Sequence, residues 1–405
     1  YYLKGVFMTQ SKKKSTSISS EANNIITENI KLFTKISHLI HTGEGVNCAY
    51  QIDMWVDVFM SSGEPFAVLT RNIELYQWAI CKYPYLNIAY ARRPVDVDAV
   101  LNNLPWLYAI YYTSNTGNLI HTLKHNKFKH IFLGHGDSDK AASAHKFFRV
   151  YDEIWVAGQA HIDRFKKANL EVRHLQFIKV GRPNLKKIIK DAMREFSCKN
   201  ESKNNTIVYL PTWEGVYEEN NYSSARLSPV FLSKIAQKTN SKIVTKFHPL
   251  TGTRDRSMSQ LYTALNDAFV DCPYMLTVTD SSYSIPKLVM EGDFFICDIS
   301  AVVSECISSL RPIFVYVPRD RKITMSSSSL NYEDYTYTFS TIEQLIELID
   351  DVIINGKDYL KEARFQALDY LLSVDETIND EFIKQLQLIS HVNGESENIR
   401  EIIIQ

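Results

Sequence analysis

From residue 66 onward, short apolar runs alternate with segments in which apolar residues recur at helical spacing. The runs Phe66–Thr70, Leu86–Tyr90, Leu107–Tyr112, His130–Leu133 and Glu153–Val156 predict strands. Between them, Ile73–Cys81, Val95–Asn102, Asn118–His125 and Ala142–Phe148 predict helices. A second series follows. Its predicted strands are Ile207–Leu210, Ile243–Phe247, Met275–Val278, Phe294–Cys297 and Ile313–Val317, and its predicted helices are Pro229–Thr239, Ser257–Ala268, Ile285–Glu291, Ala301–Ser308 and Ile342–Ile353. Strands that alternate with helices in this way argue for βαβ units and parallel sheets. Asn29–His41 is apolar at 30, 32, 33, 36, 39 and 40, a helical period. It predicts a helix packed on a sheet or, with Lys31 and Lys35, one lying on a membrane surface.

A Lys-rich and then polar stretch near Val180–Glu201 separates the two series. The expected organisation is α/β: a flexible N-terminus (1–28), a Rossmann-like domain (29–185), a second one (186–375) and a helical tail (376–405). A chain of 405 residues has room for two domains of ordinary size. The formal net charge of −1 gives no global field to recruit nucleic acid. No apolar run is long enough to span a bilayer, and Met8 followed by polar residues reads as a start without a signal peptide. Six cysteines without a CxxC pair suit reduced thiols in a cytoplasmic protein.

In open parallel sheets, ligands sit beyond the carboxyl ends of the strands. His135 follows the strand at 130–133 in GHGDSDK, flanked by Gly134 and Gly136. A His there can accept a proton from a hydroxyl near neutral pH. Asp137 and Asp139 are candidates to orient the imidazole or cap the next helix, with Lys140 close behind. His248 also follows a strand directly and precedes Pro249, with Lys246 two residues earlier. In the third segment, Asp298 ends a strand and Ser300 and Ala301 start a helix, a candidate phosphate cradle. Asp298 and Glu305 are candidates to hold a ribose or an acceptor hydroxyl. Thr212 and Trp213 follow another strand, Trp213 as a stacking surface. Arg182, at the junction of the two series, is a candidate to bridge a diphosphate. Dinucleotide-binding, P-loop and zinc-protease signatures are absent, and the His/Cys spacings form no zinc site. The cluster His121, His125 and His130 reads as a solvated helix end. No metal or cofactor is expected.

In this order, GHGDSDK, GRPNL (Gly181–Leu185), LPTWEG (Leu210–Gly215), His248-Pro249 and Asp298-Ile-Ser300-Ala301 resemble the CDP-glycerol glycerophosphotransferase family of teichoic acid synthases and capsule polymerases. The sequence departs from the family pattern at Gly134, Asp137–Asp139, Glu214 and Ala301. The resemblance implies a GT-B fold, two Rossmann-like domains facing across a cleft. It assigns the acceptor to the N-terminal domain and a nucleotide-activated, cytidine-based donor to the C-terminal one. The implied reaction moves glycerol or ribitol phosphate onto a hydroxyl of a glycan or lipid-linked polysaccharide and releases CMP. His135 would be the general base. His248 would contact the donor pyrophosphate, with Arg182, Lys246 and the Ser300–Ala301 amides taking the place of a metal. An acceptor of that kind implies peripheral contact with the inner membrane face.

Other readings share the fold. A GT-B glycosyltransferase using a CMP- or UDP-sugar would rely on Asp137, Asp139 or Glu305. A nucleotide-sugar epimerase would also use carboxylates, and a non-catalytic binding module would need neither His.

Overall fold

The computed structural model describes residues 35–198, 205–269, 275–277, 283–374 and 381–390. It contains β1 (His38–Thr42), β2 (Phe66–Thr70), β3 (Asn87–Tyr90), β4 (Ala109–Tyr112), β5 (Lys129–Phe132), β6 (Glu153–Val156) and β7 (Gln176–Lys179) in one sheet. β8 (Thr206–Leu210), β9 (Lys242–Thr245), β10 (Met275–Thr277), β11 (Phe294–Asp298), β12 (Ile313–Tyr316) and β13 (Tyr337–Phe339) form the other. The strand orders are 3-2-1-4-5-6-7 and 10-9-8-11-12-13, and the registered pairs are parallel. Contacts divide the chain into two compact units. The first holds the described residues up to His135, Val150–Ile154 and the stretch from Ile383. The second holds Gly136–Arg149 and Trp155–Phe382.

The alternation of strands and helices holds in both units. Burial on both faces explains the unbroken apolar runs. In the second sheet, Val208, Leu210, Phe295, Cys297 and Val315 feed one core, and Ile207, Tyr209, Ile296, Phe314 and Tyr316 feed the other. This is the period-two exchange of a pleated strand.

The helix expected at 29–41 is corrected. Its first part lies outside the described residues, and His38–Thr42 is the central strand β1, paired with β2 and β4. The helical period is misleading because two histidines occupy buried strand positions. His38 is hydrogen-bonded to Tyr111 Oη at 2.9 Å and Ser390 Oγ at 3.0 Å. His41 bonds the Leu69 carbonyl at 3.1 Å, and burial lowers it to about 3, so it sits neutral in the core. A membrane-surface role for residues 38–41 is thereby excluded, since their side chains are buried.

Other elements differ in detail. Ala142–Phe148 is not an α-helix but two short 3-10 turns, Ala141–Ser143 and Lys146–Val150. The stretch read as a separator contains the helix Lys186–Cys198, and the helices Tyr50–Ser62 and Gln159–Lys167 join those expected. Residues 381–390 are helical, and the rest of the expected tail lies outside the described residues. Cys48, Cys81, Cys297 and Cys306 are free thiols. Among the described residues no helix is long and apolar enough to cross a membrane.

Candidate active site

In the first unit, His135 stands just beyond the end of β5. Gly134 takes φ +66°, a left-handed turn that favours glycine, and its carbonyl accepts from Trp55 Nε1 at 2.8 Å. His135 Nδ1 lies 2.7 Å from the carbonyl of Thr113, which follows β4. A carbonyl only accepts, so Nδ1 carries the proton and Nε2 carries the lone pair. Thr113, rather than Asp137 or Asp139, orients the ring. The ring of Tyr50 meets it edge-on at 5.8 Å.

In the second unit, Gly136 begins a loop of buried charge. A Cβ at this position would stand 2.3 Å from that of Ala301, so only glycine lets the loop pass. Asp137 and Asp139 both grip Arg164, from the helix Gln159–Lys167; the Arg164 Nε–Asp139 distance is 2.6 Å. Burial raises the Asp137 carboxyl, but Arg164, His161 and Arg182 outweigh it and hold the group below its usual range. Asp139 stays raised by burial despite Arg164. The Asp137 carbonyl accepts from Ser304 Oγ at 3.0 Å.

Lys140 comes next. Its Nζ donates to Thr212 Oγ1 at 2.8 Å and lies over the Tyr222 ring. Burial lowers it to about 8, with Asp298 opposing. Asp298, fully buried, accepts from the Thr212 and Ser224 amides at 2.8 and 3.1 Å. Burial pushes it up to about 7. It therefore ties strand-end loops together. Arg182 is buried, and its guanidinium makes no hydrogen bond among the described residues. Its nearest charges are Asp137 and Glu305, and burial lowers its pKa. Glu305 is half-buried, pushed up to about 7 by desolvation, with Arg182 opposing. Ser300 Oγ is buried without a partner among the described residues, ahead of the six-residue helix Ala301–Cys306.

His248 follows β9. Its Nδ1 accepts from the Leu250 amide at 3.1 Å, so the neutral ring carries its proton on Nε2. Trp213 stacks on this ring at 6.3 Å. Lys246 is half-buried on the same segment, its amide bonded to the Tyr209 carbonyl at 3.0 Å.

The structure thus brings Asp137, Lys140, Arg182, Thr212, Asp298, Ser300, Ala301 and Glu305 into one cluster of the second unit, and joins Trp213 to His248. Sequence reasoning missed Arg164 and Glu214. Arg164 lies on a helix not foreseen. Glu214 accepts from the amides of Gly252, Arg254 and Asp255 at 2.9–3.1 Å and so fixes the loop beyond His248. His125 and Lys124 pair with Asp98, and His130 bonds Tyr112 Oη and the His125 carbonyl. Among the described residues no group of three or more His, Cys, Asp or Glu could hold a metal.

Two parallel sheets, each with polar groups gathered beyond its strand ends, make up an α/β fold of the GT-B class. The profile of the family described as CDP-Glycerol:Poly(glycerophosphate) glycerophosphotransferase matches residues 74–384, and the chain belongs to this family. It is a CDP-alditol phosphotransferase. Solved structures bear out the fold. The wall teichoic acid polymerase TagF aligns with 95% of this chain and 99% of its own at TM-score 0.57 and 13% identity. The UDP-GlcNAc 2-epimerase from Methanocaldococcus jannaschii aligns with 88% and 100% at TM-score 0.52 and 10% identity. A glycosyltransferase from Rickettsia africae aligns with 88% and 98% at TM-score 0.51 and 10% identity. No curated protein matches the sequence.

Proposed function

We propose that the protein transfers glycerol phosphate from CDP-glycerol to a terminal hydroxyl of a poly(glycerophosphate) acceptor, in the cytoplasm. The hydroxyl oxygen attacks the glycerol-bearing phosphorus, the bond from that phosphorus to CMP breaks, and the hydroxyl proton passes to Nε2 of His135. Attack at phosphorus needs a deprotonated nucleophile and neutralised phosphoryl oxygens. Lys140 and Arg182 supply positive charge, and Nε2–H of His248 donates to the charge on departing CMP. Lys246 adds a cation on the same segment, and Ser300 Oγ, without a partner among the described residues, is a further donor.

The observation that carries this reading is Arg182. The Arg182 side chain is largely buried and makes no hydrogen bond among the described residues, and a pyrophosphate supplies acceptors in the fork geometry that arginine fits. The experiment is a donor screen. The protein is incubated with CDP-glycerol, CDP-ribitol, CMP-Kdo and UDP-sugars, with and without a short acceptor, and CMP or UDP release is followed. CMP release from CDP-glycerol that is lost in both His135→Ala and His248→Ala is the expected result. Release from a sugar nucleotide instead would overturn the reading.

A further inference from the structure

The helix Lys186–Cys198 is amphipathic, and its two faces have separate tasks. Ile188, Ile189 and Ala192 are buried in the core of the second unit, which holds the helix rigidly. The opposite face borders a groove of about 520 Å³ lined by Pro183, Asn184, Lys186, Lys187, Lys190, Asp191 and Arg194. Four of these seven carry positive charge and one carries negative charge. Among the described residues Asp191 pairs with Arg194, at 3.7 Å. Lys187 and Lys190 are exposed and make no ion pair or hydrogen bond among the described residues. Residues 187, 190 and 194 follow the three- and four-residue spacing that lines one helical face, so the cations form a row. The row begins within a few residues of Arg182 in the chain.

We propose that this groove binds the phosphodiester backbone of the acceptor polymer at units away from the reacting end. The inference deepens the reading of a poly(glycerophosphate) acceptor and rests on it. A row of cations on a rigid support matches a chain with one negative charge per repeat. It also raises the local concentration of that chain. An anionic membrane is the less suitable occupant. Surface-lying helices also insert apolar side chains. Here the apolar face is committed to the core, and none of the exposed large apolar side chains lies between Pro183 and Phe196.

The test uses the full chain without donor, and reads the anisotropy of a labelled synthetic oligo(glycerol phosphate). In the triple variant Lys187→Glu, Lys190→Glu, Arg194→Glu, affinity should fall roughly tenfold, as expected for removing and reversing three exposed charges. Wild-type binding should weaken as salt rises. The triple Gln variant, which adds no repulsion, should fall between the two. In turnover, the KM for a long acceptor should rise, while kcat and the KM for a single-unit acceptor stay unchanged. Wild-type affinity in either triple variant overturns the proposal. So does displacement of the polymer by phosphatidylglycerol vesicles but not by unlabelled polymer. Because binding is read without donor, failure of the groove is distinct from failure of CMP release with CDP-glycerol.

Discussion

Nδ1 of His135 donates to the Thr113 carbonyl at 2.7 Å, and this leaves the basic lone pair on Nε2. His248 has the reverse arrangement: its Nδ1 accepts from the Leu250 amide at 3.1 Å, so Nε2 carries the proton. Two residues of one type are thus preset for opposite tasks by backbone groups a few atoms away. Glutamine can supply an N–H in place of Nε2–H but cannot take up a proton near neutral pH. His248→Gln should therefore retain more activity than His248→Ala, while His135→Gln should be no better than His135→Ala. The loss at position 135 should be on the order of 10²–10⁴-fold in single-turnover CMP release. Equal rescue by Gln at both positions would contradict the assignment.

Lys140 gives a pH dependence with two opposite signs. Burial lowers it from 10.5 to about 8. The charged form meets a phosphate, so kcat/KM for the donor should fall as pH rises through about 8. Stability should move the other way. Between about 8 and 10.5 the unfolded chain holds a proton that the folded one has released, so stability rises with pH. Lys140→Met should flatten both profiles. A donor kcat/KM that does not change across this window in the wild type would remove Lys140 from the phosphate contact.

Arg164 is a positioning residue, and its loss should be felt mainly as instability. Arg164→Met leaves Asp137 and Asp139 buried without their shared cation. The cost should be about 3–5 kcal/mol in urea unfolding, the range for breaking a buried pair. Adding Asp137→Asn and Asp139→Asn should recover part of it, because the three groups are coupled. A loss under about 1 kcal/mol, the scale of a surface pair, would show that the cluster is solvated.

The contrast between Arg164 and His135 shows what was legible in the sequence. Strands buried on both faces leave continuous apolar runs, so ten of the thirteen strands could be read directly, while β7, which has no buried position, and the three-residue β13 left no such run. A His directly after an apolar run stands at a strand end wherever the sheet forms. Which side chain meets Asp137 is a long-range fact: Arg164 is 27 residues away, on a helix whose polar, basic composition hid its period. Glu214 was legible only as a departure from the family pattern, whereas its three backbone partners lie near residue 253. β1 failed for a physical reason. His38 and His41 look polar, but His38 is satisfied inside the sheet by Tyr111 and Ser390, and His41 is buried neutral with Nδ1 on the Leu69 carbonyl.

Arg182 yields a prediction of unusual sign. Most buried arginines are hydrogen-bonded, and removing one destabilises the fold. Arg182 makes no hydrogen bond among the described residues, and its nearest carboxylates have other means of accommodation. Asp137 keeps Arg164, and Glu305, already raised to about 7, can take up a proton. Arg182→Gln should therefore leave the thermal midpoint of the free protein unchanged or higher. The same variant should lose the stabilisation that CDP-glycerol confers on the wild type, which at a ligand concentration of 100 Kd is about 2.7 kcal/mol. A thermal-shift titration of both proteins reads the two effects together. If the free variant melts far below the wild type, Arg182 is a structural arginine. If it still responds fully to CDP-glycerol, the donor binds elsewhere. The combination of a stable free variant and a silent titration is what a site built for an absent anion requires, because there the cost of the buried charge is offset only when the ligand arrives.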